Sequence, residues 1–237
     1  MSGPAPARLG IVTGLAAEAD RIARAARGLS DGPLPLVFCS GADAGRAQDG
    51  AARLIADGAE GLVSFGIAGG LDPALEPGEL VLADAVVTPD GERVASDRGW
   101  RNRFLALSQS RQPVTVAAIA GADGPLTTLA AKRALSNATG AAAVDMESHA
   151  VARAASAAGV PFLSLRAVAD PAARAVPACA LSGVGSDGRM RPLPVLRELV
   201  LKPWELPALV AVGRDTGAAL ASLGRVAELV LRAFARG

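Results

Sequence analysis

Three acidic residues fall where an apolar run gives way to a turn or a helix. Glu18 follows the run Leu9 to Leu15, Glu147 follows Ala141 to Val144, and Asp170 follows Phe162 to Val168. In a parallel sheet the ligand crevice lies beyond the carboxyl ends of the strands, so acids at these places share one rim. In Val144-Asp145-Met146-Glu147-Ser148 two carboxylates stand at a strand-to-helix junction, where a carboxylate can accept hydrogen bonds from sugar hydroxyls. The same two residues also suit a helix N-terminus, Asp145 as its cap and Glu147 as a partner of the helix dipole. Asp170 ends Leu165-Arg166-Ala167-Val168-Ala169-Asp170, and Pro171 bars continuation; an ordinary Asp-Pro turn has the same pattern. Glu18 fits either the rim or a solvated helix face. Gly66-Ile67-Ala68-Gly69-Gly70 reads as a glycine-rich turn after a strand on the same rim. Small residues there let a ligand approach backbone N–H groups, which can hold a hydroxyl or an anion. No Gly-Lys-Ser/Thr follows and the stretch does not spell GxGxxG, so it is neither a P-loop nor a dinucleotide fingerprint.

These residues need strands and helices to hold them, and the apolar pattern supplies both. Strands are expected at Leu9–Leu15, Leu34–Cys39, Gly61–Phe65, Glu79–Val87, Val114–Ile119, Ala141–Val144 and Phe162–Val168. Helices are expected at Ala17–Arg27, from the Ser40-Gly41-Ala42-Asp43-Ala44-Gly45 turn to Asp57, and at Thr127–Asn137 and Glu147–Ala158. A closing amphipathic helix is expected over Asp215–Arg236, with Leu220, Leu223, Ala227, Val230, Leu231 and Phe234 on one face and Arg225, Glu228 and Arg232 off it. Strand-helix alternation makes this an α/β chain: a mixed, mainly parallel sheet with helices on both faces. Without an internal repeat or linker, residues 1–237 read as one domain.

Composition narrows the function. The chain is 51% apolar and 20% charged, enough for a sizeable core. Aromatics make up 3% and tyrosine is absent, so a substrate site of stacked rings is not expected. A formal net charge of +1 with no basic block argues against nucleic acid as partner. Cys39 and Cys179 are far apart and form no CxxC pair; with the single His149 they suggest no metal site, and two reduced thiols in a cytoplasmic enzyme are expected. The Met-Ser-Gly-Pro start does not resemble a signal peptide. No uncharged run reaches about 18 residues, so no membrane span is expected.

Taken together, these motifs resemble the purine nucleoside phosphorylase/nucleosidase superfamily, from Gly10 to the last helix. Gly10-Ile11-Val12-Thr13-Gly14-Leu15-Ala16-Ala17-Glu18 resembles the first strand and acidic turn of the methylthioadenosine/S-adenosylhomocysteine nucleosidases. Gly66 to Gly70 with Pro77-Gly78-Glu79-Leu80-Val81 resembles their glycine-rich turn and next strand. Val144-Asp145-Met146-Glu147 resembles their Val-Glu-Met-Glu box, and Arg166 to Asp170 their Arg-Ala-Ile-Ser-Asp box. Within the superfamily, Asp145 to Ala152, Ala169-Asp170-Pro171-Ala172 and the Arg191–Arg214 region are most similar to the hopanoid-associated phosphorylases.

The resemblance implies cleavage of an N-glycosidic bond in a 5′-modified adenosine, adenosylhopane in that branch, with adenine released. It implies that Asp170 assists the purine at N7, Glu147 holds the 2′- and 3′-hydroxyls, Met146 packs on the ribose and Glu18 activates water. Asp145, Gly66, Ile67, Ala68 and Gly69 would complete the substrate site, and Ala120 to Leu126 would lie near the adenine by position. No cofactor or metal is implied, and inorganic phosphate is a candidate co-substrate. The acceptor stays open between phosphate and water. Phosphorylases of this fold hold phosphate with an Arg before the glycine turn and a Ser or Thr within it, and Ser64 and Ile67 stand at those places here. Ser40, Gly41 and Arg46 form an alternative phosphate set. His149 lies two residues after Glu147, so on a helix it points elsewhere and reads as structural. A homodimer is implied by the nucleosidases. Residues 189–214 carry Leu193, Val195, Leu196, Leu199, Val200, Leu201, Trp204 and Leu206 among Arg191, Arg197 and Lys202. That mixture suits either a peripheral membrane contact and a greasy entrance for a lipid substituent, or a cover for the sheet or a second subunit.

Overall fold

A computed structural model describes residues 8–29, 34–108 and 112–234. The expectations placed on Met1 to Pro4 and on the last residues of the closing helix lie outside these. The first strand, β1 (Leu9–Thr13), is buried along its whole length, as a strand covered on both faces must be. It pairs in parallel with β2 (Leu36–Cys39) and β3 (Gly61–Gly70). The remaining strands are β4 (Leu80–Val87), β5 (Arg93–Ala95), β6 (Val114–Gly121), β7 (Ala143–Asp145) and β8 (Phe162–Asp170). The sheet runs β2-β1-β3-β7-β6-β4-β5. β8 pairs in parallel with β3 and antiparallel with β4. Parallel pairing dominates, with antiparallel exceptions at β3–β7, β4–β5 and β4–β8.

The expected α/β architecture is what forms, with one addition. Because β8 bridges β3 and β4, the strands β3, β7, β6, β4 and β8 close on themselves. Register shifts between Ala68 and Gly69 and between Ala83 and Val86 supply the local bending that closure needs.

Helices α1 (Ala16–Arg27), α3 (Arg98–Ser108) and α8 (Leu206–Phe234) pack together on one side. There α8 buries Leu223, Val226, Val230 and Phe234 against Ile22, Trp100 and the strands, and the Trp100 and Phe234 rings lie 4.4 Å apart. Helices α2 (Ala44–Ala56) and α5 (Ser148–Ala158) cover the other side through Ala47, Ala51, Leu54, Val151 and Ala155. Helix α4 (Leu129–Thr139) follows β6, and the short α6 (Ala178–Leu181) precedes α7 (Pro192–Leu201).

Several expected boundaries move for identifiable reasons. The closing helix starts at Leu206 rather than Asp215, because Pro207 lies in its first turn, where a missing N–H costs nothing. β5 and α3 are additional elements, held by cross-strand pairing and by Trp100 and Phe104 in the core. The largest change concerns Gly66 to Gly70, which is strand rather than turn: β3 runs through it, pairing Gly66 with Arg166 and Gly69 with Val144. The small residues serve close packing there. A Cβ on Gly66 would come within 2.8 Å of the Glu18 carboxylate and would also strike Arg166.

Candidate active site

The carboxyl ends of β1, β3, β7 and β8 open onto one cavity of about 220 Å³. Its wall includes Glu18, Ile67, Ala68, Gly69, Asp145, Met146, Glu147 and Asp170, so sequence-distant candidates are brought together. Gly124, Pro125 and Leu126 also line it, which places the end of the Ala120–Leu126 segment at the site. Gly66 is not on the wall; it lies beneath Glu18 and Arg166.

At the end of β7 the Asp145 carboxylate turns inward. Its Oδ1 accepts from the backbone N–H groups of Glu147 (2.8 Å) and Ser148 (2.7 Å), and its Oδ2 lies 2.7 Å from Arg166 Nε. Asp145 therefore caps the start of α5 and anchors an arginine. The cap alternative is thus the one seen, and although Asp145 lines the cavity, an acid with these partners has little acceptor capacity left for a substrate hydroxyl. Glu147 stands at the N-cap position, one residue before the helix that was expected to contain it. Its Oε2 lies 3.4 Å from Arg166 Nη2, and its carboxylate passes so close to Gly14 that a Cβ there would sit 2.7 Å from Oε1.

Glu18 is buried, not on a solvated helix face. Its Oε2 accepts from the backbone N–H groups of Gly14 and Leu15, each at 2.9 Å, and its Oε1 accepts from that of Ile67 at 2.8 Å. The N–H groups that could have cradled an anion thus hold a carboxylate belonging to the protein.

Arg166, 1% exposed, is the cation facing these acids, and it also donates to Ser64 Oγ (2.6 Å) and Ser148 Oγ (3.1 Å). Burial alone would lower its pKa, but Asp145, Glu147 and Glu18 hold it above its usual value. One guanidinium cannot balance three buried carboxylates. Burial pushes Glu18 up despite Arg166 and its backbone donors. Burial, with repulsion from Asp145 and Glu18, pushes Glu147 up to about 8 against the pull of Arg166. The sequence reading used Arg166 only as part of a motif, and nothing in the sequence marks it as the centre of this network.

Asp170 ends β8 with a partner the sequence reading did not single out. Lys132 of α4, 1% exposed, forms an ion pair with Asp170 Oδ2 and donates to the carbonyls of Pro171 (2.9 Å) and Arg174 (3.1 Å). Burial raises the Asp170 pKa, and Lys132 and Arg174 oppose the rise. A lone lysine on an otherwise mixed helix carries no sequence signal; only its burial reveals it.

The alternative phosphate residues are not brought to the cavity. Ser40 is buried behind β1, donating its N–H to the Thr13 carbonyl, Gly41 turns with φ of 72°, and Arg46 donates to the Ser186 carbonyl. None of the three lines the wall. His149 is buried beneath Gly121, its Nε2 3.5 Å from Asp123, in agreement with a structural place. Nor do residues 189–214 line the cavity, which corrects the expectation of an apolar entrance wall there; the nearest contributor in sequence is Val184. Leu193, Val200, Leu201 and Trp204 are instead exposed, so they do not cover the sheet. Among the described residues no helix is long and apolar enough to cross a membrane.

A closed mixed sheet on an α/β scaffold thus gathers buried acids from its strand ends around one cavity. The phosphorylase superfamily model matches residues 16–182, and the chain belongs to that enzyme superfamily. Futalosine hydrolase of Streptomyces coelicolor is 36% identical over 129 residues, covering 46% of this chain and 53% of the relative, so the match spans about half the relative's length. The fold matches that of futalosine hydrolase from Helicobacter pylori (TM-score 0.69, 17% identity, 96% of each chain). It equally matches the 5′-methylthioadenosine/S-adenosylhomocysteine nucleosidase of Colwellia psychrerythraea solved with adenine (TM-score 0.71, 17% identity, 98% of this chain and 97% of the other).

Proposed function

We propose that this protein hydrolyses the N-glycosidic bond of a 5′-modified purine nucleoside. The observation that carries this reading is the placement of Glu18, Glu147 and Asp170 around one cavity, with Glu18 filling the backbone N–H cradle. Breaking the bond leaves positive charge on the ribose and negative charge on the purine. Glu147 accepts the 2′- and 3′-hydroxyls, and its ionised form, opposed by burial in the free protein, gains most where the ribosyl cation develops beside it. Glu18, with a raised pKa, is a stronger base than an ordinary carboxylate and takes a proton from the attacking water. The departing purine takes a solvent proton at N7 and leaves neutral, and Asp170 accepts the resulting N–H. Met146 packs against the sugar.

Water is the acceptor in this reading. Glu18 occupies the anion-holding N–H groups, Ile67 has no side-chain donor, and Arg166 is committed to carboxylates. A bound phosphate would meet acids instead of cations. The test is product analysis in ¹⁸O-labelled water with and without phosphate. Label at ribose C1 is expected at equal rates under both conditions; a ribose 1-phosphate product would overturn hydrolysis.

For the 5′ group we favour a triterpenoid, making the substrate adenosylhopane. Supporting this are the apolar Leu15, Ala42 and Val184 on the cavity wall and, outside the cavity as a surface for a lipid bilayer, the exposed apolar residues of α7 beside cations. Methylthioadenosine or S-adenosylhomocysteine is the second reading, favoured by the fold match to nucleosidases of those compounds. Competition between short and long 5′-substituted adenosines separates the two: tighter competition by the long, apolar series supports the lipid, and the reverse supports the thioethers.

A further inference from the structure

We propose that Lys132 is a positioning residue that fixes Asp170 as a hydrogen-bond acceptor and so selects purines carrying an amino group at position 6. The inference rests on the reading of Asp170 as the acid that meets the purine. Lys132 is the one residue of α4 on the cavity wall, and it is 1% exposed. A lysine is buried this deeply only when its charge is paired and its donors are used. An ammonium has three N–H donors, and three acceptors surround this one: Asp170 Oδ2 and the carbonyls of Pro171 and Arg174. No donor is left for a ligand.

The arrangement fixes more than one side chain. By holding two carbonyls of the segment after β8, Lys132 sets the path of the chain that follows Asp170. Arg174 of that segment pairs in turn with Asp215 of α8, and Val176 N–H is bonded to the Thr127 carbonyl (3.0 Å). Asp170 Oδ1 has no hydrogen-bond partner among the described residues, although the residue lines the cavity. An ionised carboxylate oxygen can only accept. It pairs with the N–H of a 6-amino group or of a protonated N7, whereas a 6-oxo group sets oxygen against oxygen. With every Lys132 donor committed, nothing nearby on α4 relieves that conflict. The charged groups acting on Asp170 are Lys132 from α4 and Arg174 from the following segment; Glu18 and Glu147 share the same cavity wall. Removing the lysine charge leaves burial to push the Asp170 carboxyl higher, and a protonated Asp170 becomes a donor that tolerates a 6-oxo group.

The experiment compares wild type with Lys132→Met and Lys132→Gln. It measures adenine and hypoxanthine binding by calorimetry and kcat/KM on matched 6-amino and 6-oxo nucleosides from pH 5.5 to 8.5. Wild type should prefer the 6-amino series by about 100-fold or more, since a site built around one hydrogen-bonding pattern rejects its inverse strongly. In folded variants the preference should fall at least about tenfold at pH 6, and the acid limb of adenine binding should move upward by about one pH unit. A purely structural lysine would change the melting temperature and leave both readouts alone, and that result overturns the proposal. If neither variant folds, wild-type binding decides: equal or reversed affinity for the two bases overturns it. A wild type that prefers adenine but cleaves no nucleoside would sink the hydrolase reading while supporting this one.

Discussion

Replacing Glu147 with glutamine should stabilise the ligand-free protein at alkaline pH and weaken its activity on ribosides. Glu147 is 5% exposed, and burial pushes its carboxyl from 4.5 to about 8. A carboxyl whose folded pKa exceeds its unfolded one binds protons more tightly in the fold. Its stabilising contribution is fully present below about pH 4.5 and is lost as pH rises toward about 8. The full span corresponds to about 5 kcal/mol. Between pH 5.5 and 9 the loss is about 3 kcal/mol, because the unfolded chain has already ionised substantially at the lower pH. Glutamine keeps the shape beside Gly14 without the charge. Urea denaturation of both proteins at pH 5.5 and pH 9 is the assay. The advantage of the variant should grow by about 2 to 3 kcal/mol between the two conditions, or several degrees in Tm for a chain of this size. An advantage that is constant or shrinks toward pH 9 would refute the reasoning, since Glu147 would then be an ordinary ion-pair partner of Arg166 throughout.

The remaining predictions concern turnover. Asp170→Asn should fold normally yet slow purine release by at least about 100-fold, and near-normal turnover in a folded variant would remove Asp170 from the mechanism. The same Glu147→Gln variant should lose less on 2′-deoxyribosides than on ribosides; equal losses would count against a 2′-hydroxyl contact. Polar replacements at Leu201 and Trp204, 69% and 73% exposed, should reduce liposome binding and activity on a lipid-linked adenosine while sparing a short soluble analogue. Parallel loss of both activities would refute a membrane role for the 189–214 segment.

Much of this architecture follows from local pattern. β1, β4, β6 and β8 announce themselves as apolar runs, and their helices as amphipathic segments, because burial of one face or of both leaves a period in the sequence. The places of Glu18, Glu147 and Asp170 follow from the same rule, since each sits just after such a run and strand ends share a rim. The glycine-rich stretch misled for a physical reason: Gly66 is required by the side chains of Glu18 and Arg166 above it, and the sequence cannot distinguish close packing from turning.

What tertiary structure alone decided is how the charges meet. Asp145 reads equally as a cap or a ligand; it became a cap because Arg166, 21 residues later, took its other oxygen. Lys132 became the partner of Asp170 only because α4 packs beside the end of β8, a placement set by strand order and not by any local signal. The N–H cradle could have held an anion until Glu18 was seen to fill it. Sequence fixes which residues stand at the rim because hydrophobic periodicity is local. The protonation and partners of those residues depend on long-range neighbours and on exclusion of water, and these exist only once the chain has closed around them.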